Sequence, residues 1–422
     1  MLIRLSNWIE FTLVFLVLIL VFLYDLMSET LGFLDEFIGL MAFGVLFFYA
    51  FIKGRLIFYR KEYYILILLS FIIFLGLASN AYSHIIGHKT NPIAIFADLV
   101  NFSKAFVAYF AIRLLSNHFN SNIALEKLSR YTKIIFFILI FIILLDVIFN
   151  IYPKAPRYGF NSLELFFKHG SRYAFSFSFI FLVLLPKHYP KKIGFLILIL
   201  LVGMLSLRVK YFGFVILSLI FIFYGRNLIR IPRAYFIYIL LGIAILLFFL
   251  FREKIQTFFV FENMEDAWSR AVVTYYSFII AFDFFPFGTG FGTFSSFYSG
   301  FYYSWVYDLY GISNVYGIKR AYWNFVADQY WPMVLGQFGY LGLLAMILVI
   351  YNYLTIFLIN VKANINNKRY YLFLSSILGL LMLLIDSTSD SIFSQQRAVA
   401  MFIYFALVMN TINKQNENFT NK

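Results

Sequence analysis

A chain of 422 residues that is 62% hydrophobic, 22% aromatic and only 13% charged, with a mean hydropathy of +0.83, has too little polar side chain to cover a water-soluble fold. Fifty-seven Phe and 32 Tyr against eight Pro exclude a disordered or collagen-like chain, and runs such as Phe11 to Tyr24 exclude the alternating strands of a membrane barrel. The formal charge of +14 would point to nucleic acid in a soluble protein; in a membrane chain it reads as a topology signal, and no nucleic-acid partner is expected.

The expected fold class is all-α, a polytopic membrane helix bundle. In chain order, apolar segments fall near residues 7–24, 31–52, 63–80, 93–115, 134–151, 173–187, 193–207, 211–224, 234–251, 332–358, 370–387 and 398–412, which makes about 12 transmembrane helices. With the N-terminus in the cytoplasm, 20 Lys and Arg lie inside and 13 outside, with Lys104 within a span. Both termini are therefore expected in the cytoplasm. Residues 1–24 lack the small-residue cleavage site of a secretory signal and read as a retained first helix. Zero cysteines exclude disulfides and thiolate metal sites, and His84 and His88, an i, i+4 pair in a short loop without a third ligand, read better as a wetted loop than as a metal site. No metal and no cofactor are expected.

The organisation expected is an N-terminal bundle of about nine helices (1–251), a large aromatic loop on the outer, periplasmic face (252–331), and C-terminal helices with a short cytoplasmic tail (332–422). A connection of about eighty residues is far longer than helix joints usually are, and such loops are usually functional. It holds 27 aromatic residues in 80, richer than the 22% of the whole chain. Two readings fit: an interfacial layer of Trp and Tyr, or a platform for the apolar face of a sugar ring. Within it, Trp268 to Phe285 predicts a re-entrant or interfacial helix, ended by Pro286 and followed by Gly288, Gly290 and Gly292, which permit tight backbone close to a ligand. No βαβ unit surrounds these glycines, so they are not a dinucleotide fingerprint.

Ionisable residues at membrane depth are expensive and mark sites. Arg208 and Lys210 separate the seventh and eighth segments at their outer end; Arg172 opens the sixth, Arg270 begins the amphipathic stretch, and Arg397 opens the twelfth just after Asp386 and Asp390. One such Arg is most simply a snorkelling or paired side chain. Five on one leaflet read as a seat for a lipid diphosphate, because guanidinium forks match phosphate geometry. Asp328, at the mouth of the tenth segment, reads equally as a base toward an incoming hydroxyl and as a helix N-cap. His169 is a weaker base candidate, and Lys104 and Asp98 read as structural partners of other helices.

The stretch SRAVVTYYSFIIAFDFFPFGTGFGTFSSF, followed by DQYWPMVLGQFGYLGLL, resembles the O-antigen polymerase and O-antigen ligase superfamily of bacterial envelope glycosyltransferases. The shared pattern is an Arg ahead of an amphipathic helix, a P-x-G-x-G-x-G turn, and a polar residue opening a helix with a glycine pair. SLRVKYFGF resembles the basic motif between two earlier spans of that family. The motifs cover roughly residues 200–350, and the rest matches by hydropathy alone. The resemblance implies an inner-membrane, metal-independent, inverting glycosyltransferase in which Arg270 and Arg208 contact the diphosphate of an undecaprenyl-linked donor and Asp328 handles the acceptor proton. Lys210, Arg172, Arg397, Tyr275, Gly288 and Gly290 complete the substrate-binding set. Asp328 stands where ligases carry a His, which favours the polymerase. The implied partners are undecaprenyl-diphosphate-linked oligosaccharide, membrane lipid and a chain-length regulator protein. The alternatives are a ligase acting on a lipid A core and a transporter or flippase of lipid-linked oligosaccharide.

Overall fold

The computed structural model describes residues 2–54, 56, 58–230 and 268–412. These form an almost wholly helical molecule whose only regular strands, among the described residues, are one short hairpin. Helix α1 (Leu2–Leu18) runs through a π-helical turn, Ile19–Leu23, into α2 (Tyr24–Leu31). There follow α3 (Leu34–Lys53), α4 (Arg60–Ile85), α5 (Pro92–Leu114), α6 (Ser121–Phe149), α7 (Gly170–His188), α8 (Ile193–Met204) and α9 (Val209–Arg230). After the undescribed segment come α10 (Ser269–Asp283), the short α11 (Phe297–Phe301) and α12 (Trp305–Leu309), then α13 (Tyr330–Ala363), α14 (Arg369–Ser387) and α15 (Gln396–Met409).

Eleven of the twelve apolar segments coincide with helices; the ninth, 234–251, lies outside the described residues, as does the start of the large loop with Glu262, Glu265 and Asp266. Among the described residues, eight helical runs are long and apolar enough to cross a membrane. The remaining helices depart from that pattern for a physical reason. Helix α7 carries Ser171, Ser176 and Ser178 and is buried along almost its whole length by other helices, so it needs no lipid-facing apolar stripe. Helix α15 is buried at every one of its 14 residues. At 1.5 Å per residue it reaches roughly 21 Å, short of the roughly 30 Å of a bilayer core. Helix α8, with 12 residues, is shorter still. Helix α15 begins at a recess described below.

Close approaches and polar pairs lock the bundle. Gly39 of α3 lies against Lys104 of α5, where a Cβ would come within 2.5 Å of the lysine Cβ, and Lys104 Nζ is held by Asp35 and, at 3.0 Å, by Glu36 Oε1. On the other side of α5, Glu62 accepts from Arg113 Nε and Tyr109 Oη, both at 2.6 Å. The π turn frees a carbonyl, Val21 O, that Ser176 Oγ of α7 fills at 3.1 Å. Asp98 accepts from Gly292 N at 2.7 Å and from Gln337 Nε2 at 2.9 Å, tying α5 to the large loop and to α13.

The described part of the large loop is itself a folded unit. Val272, Val273 and Ile280 of α10, with Phe284 just past its end, close over Phe294, Val306, Tyr307, Ile312, Val315, Ile318 and Val326 in a second apolar core. The glycine turn is a wedge driven into the bundle: Thr289 N and Gly290 N donate to Gly336 O and Gln337 O at 3.0 and 2.9 Å, and Asn80 clasps the backbone of Phe291 through both ends of its amide. Helix α13 opens to receive it, with Gly339 at φ 67°, ψ −169° interrupting the helical ladder.

Candidate functional site

The recess beside the start of α15 is a cavity of about 1160 Å³. Arg172, Arg208, Lys210, Arg270, Arg397 and Asp328, scattered over more than 220 positions of sequence, all line it. Local structure explains the convergence. Arg172 sits in the first turn of α7, and Arg208 immediately precedes the first turn of α9, which contains Lys210. Arg270 lies in the first turn of α10, Arg397 in the first turn of α15, and Asp328 two residues before α13. Helix starts carry unpaired N–H groups and a partial positive charge, so the cations and the backbone field favour the same sign of ligand.

Each cation is held by a counterion. Arg270 Nε and Nη2 both donate to Asp328 Oδ2, at 3.0 and 2.8 Å, with the guanidinium 5.2 Å from the Trp268 ring centre. Arg172 pairs with Asp25, and Lys210 Nζ donates to Asp386 O at 3.1 Å and lies 3.6 Å from its Oδ1. Arg397, almost fully buried, donates from Nη2 to Asp390 Oδ2 at 2.5 Å and rests over the Phe175 ring. Arg208 Nη2 donates to His169 Nε2 at 3.0 Å and lies 3.6 Å from Glu164 Oε1.

The electrostatics follow from this crowding. Burial and the neighbouring Arg208 push the His169 pKa down to about 4, so the ring is neutral at pH 7 with its Nε2 lone pair occupied by Arg208. Burial, and then the charge of Arg157, lower the Arg208 pKa. For Asp390 burial acts upward, but Arg397 and Lys210 outweigh it and hold the carboxyl below its usual range. Burial raises Asp328 against the opposing pull of Arg270.

Polar atoms of the cavity are left unfilled on both sides, with the acceptors Glu36 Oε2 and Asp386 Oδ2 buried without a partner. Arg208 Nε, Arg397 Nη1 and Arg157 Nε are buried without a hydrogen-bond partner. Unfilled donors of this kind are costly unless something anionic or water takes them.

No family model and no curated protein matches the chain.

The residues thus argue by themselves. Arg157 is the member that sequence reading passed over. It ends the first strand of the hairpin Ala155–Arg157/Phe160–Ser162, whose turn residues Tyr158 and Gly159 both have positive φ, the signature of a tight two-residue turn. The sequence signal for it was the Tyr-Gly pair in PRYGFN. Lys168, Lys104, Asp35 and Glu36 also line the cavity, giving eight Lys and Arg against five Asp and Glu.

Three residues of the expected substrate-binding set lie elsewhere. Tyr275 is exposed on α10, edge-on to Tyr276, and does not line the cavity. Gly288 and Gly290 have φ of +92° and +97°, and a Cβ there would meet Gln337 O at 2.7 Å and Asn80 Cγ at 2.5 Å. Their freedom serves contact between loop and helix, not contact with a ligand. The aromatic platform is likewise redistributed: Trp305 stacks on His88 at 4.0 Å and Trp323 packs edge-on against Phe297, whereas Phe297, Tyr298 and Phe325 face the cavity. Asp328 is not the N-cap of α13; Gln329 occupies that position.

Proposed function

We propose that the chain is a membrane glycosyltransferase of the O-antigen polymerase type, which moves a growing glycan from undecaprenyl diphosphate to a hydroxyl of another lipid-linked repeat unit. The observation that carries this reading is the convergence of Arg157, Arg172, Arg208, Lys210, Arg270 and Arg397 on one cavity with unfilled N–H donors. A diphosphate carries more charge than any single carboxylate that now holds these groups, and it accepts bidentate guanidinium bonds. Helix α15, with Arg397 in its first turn, is shorter than a full span, and in this reading the cavity beside it seats a headgroup whose polyprenyl tail stays in lipid. In this reading about twelve spans surround the site, both termini are cytoplasmic, the cavity faces the periplasm of an inner membrane, and a chain-length regulator is a natural partner.

The chemistry needs no nucleotide. The acceptor oxygen attacks the anomeric carbon, the bond from that carbon to the diphosphate oxygen breaks, and the electron pair leaves with the diphosphate. Arg270 and Arg208 stabilise that developing charge, with Arg157 and Arg397 as further donors. Asp328 takes the acceptor proton through Oδ1, the oxygen not used by Arg270. One displacement without a covalent intermediate inverts the anomeric configuration.

The test is to incubate purified protein with authentic lipid-linked repeat units and look for a ladder of longer products. A ladder supports the polymerase, with Arg270→Ala losing about a hundred- to a thousandfold in rate. Transfer to a lipid A core acceptor in place of lengthening supports the ligase. Unlengthened glycan carried across a vesicle membrane supports a transporter.

A further inference from the structure

A second basic pocket lies at the opposite end of α7 from the cavity. Arg172 stands in the first turn of that helix, and Lys187 in its last, so fifteen residues and roughly 22 Å separate the two sites along the axis. The pocket, about 350 Å³, is lined by Ser129, Arg130, Lys133, Lys187 and His188 together with Ile134 and Phe137, and no carboxylate lines it. Arg130, Lys133 and Lys187 enter no ion pair among the described residues. Ser129 is 5% exposed, and its Oγ has no hydrogen-bond partner. Ser79 and Ser178 donate to the carbonyl four residues back, whereas Ser129, like Thr132, Ser218 and Ser376, makes no such bond. Ser129 thus borders the pocket with its donor unfilled, and with Lys187 it also borders a neighbouring hollow lined by Glu126.

We propose that this pocket binds the phosphate of an anionic membrane phospholipid. Three unpaired cations and a buried hydroxyl donor suit a phosphate, and basic pockets between membrane helices are known to take anionic headgroups. The apolar continuation selects a lipid over a free anion. Ile134, Phe137, Phe141 and Leu144 are all exposed and recur at helical spacing up one face of α6, leading away from the basic end. The ten residues from Ile134 to Leu144 rise roughly 15 Å, the depth of one leaflet of hydrocarbon. Basic residues that merely set topology need neither a shared pocket nor a buried unfilled hydroxyl beside them. The proposal does not depend on what the large cavity does.

The experiment is native mass spectrometry of the full-length protein, stripped of lipid and titrated separately with phosphatidylglycerol, cardiolipin, phosphatidylcholine and inorganic phosphate. The wild type is expected to retain one anionic lipid that phosphatidylcholine does not replace and inorganic phosphate does not displace. Each removed charge weakens binding about fivefold, so Arg130→Gln, Lys133→Gln and Lys187→Gln combined weaken it about a hundredfold. Ser129→Ala, a change that leaves the charges and the fold's apolar packing in place, is expected to weaken it severalfold and serves if the triple variant does not fold. Equal retention of anionic lipid by the wild type, the triple variant and Ser129→Ala would overturn the proposal. So would equal retention of phosphatidylcholine, or displacement by inorganic phosphate, which would reduce the pocket to a site for a free anion.

Discussion

Arg270 and Asp328 stand 58 residues apart in sequence, and both guanidinium donors of the arginine, Nε and Nη2, fall on a single carboxylate oxygen, Asp328 Oδ2. The other oxygen is thereby left to a substrate. If Arg270 holds the departing diphosphate and Asp328 the acceptor proton, the two substitutions separate in kinetics. Arg270→Ala is expected to raise the donor KM as well as lower kcat. Asp328→Asn is expected to lower kcat about a hundredfold or more while donor binding is kept, because Arg270 is then freed for the anion. In the double variant the two losses will not add, with a coupling of about 0.5–3 kcal/mol, measured by a double-mutant cycle on kcat/KM.

The trio of buried Lys104 and Asp35 with half-buried Glu36 yields a prediction about stability. Lys104 is 2% exposed, and its ammonium is the counterion of both carboxylates on α3. Lys104→Met removes the cation and leaves the acids, a change that costs about 3–5 kcal/mol when a buried pair is broken from one side. A strongly lowered Tm in detergent is expected, and Lys104→Met with Asp35→Asn should recover part of it. Equal Tm for wild type and Lys104→Met would show that the carboxylates find other partners.

The glycine wedge gives a sharper local test. Gly290 combines φ of +97° with a Cβ direction that ends 2.5 Å from Asn80 Cγ and 2.7 Å from Asn80 N. Gly290→Ala therefore meets both backbone strain and a clash with backbone, and about 2 kcal/mol or more of destabilisation is expected. Gly213, where a Cβ would meet nothing within 4 Å, is the control: Gly213→Ala in α9 is expected to be neutral or mildly stabilising. Thermal unfolding of the two variants side by side decides it.

What the sequence made legible, and what it hid, follows from how rare each signal is. In a chain with 13% charged residues, an Arg at the edge of an apolar run is conspicuous, so Arg172, Arg208, Lys210, Arg270 and Arg397 were readable as a group before any geometry was known. Arg157 was hidden because a cation in a polar hairpin is ordinary, and only the fold brings that hairpin over the cavity. The glycines of residues 288–292 announce backbone freedom but not what approaches them; the partners, Asn80 and Gln337, lie 210 and 47 positions away from Gly290 and carry no local mark. Helix positions followed directly from apolar run length, whereas α7 and α15 are enclosed by other helices, a tertiary fact that a hydropathy trace does not contain.

His169 supplies a pH dependence with a definite sign. Its ordinary pKa of 6.5 falls to about 4 in the folded protein, because the ring is buried and Arg208 donates to its Nε2. Between these two values the unfolded chain binds a proton that the folded chain does not, so stability is fully present above pH 6.5 and declines as the pH falls toward 4. The Tm of the wild type is expected to drop through that window, and His169→Gln, which keeps a hydrogen-bond acceptor for Arg208 but cannot titrate, is expected to drop less. Neutrality at pH 7 has a second consequence: His169 should produce no inflection in the activity profile between pH 5 and 8, so an inflection near pH 6.5 that vanishes in His169→Gln would mean that the bound substrate draws Arg208 away and releases the imidazole as a base.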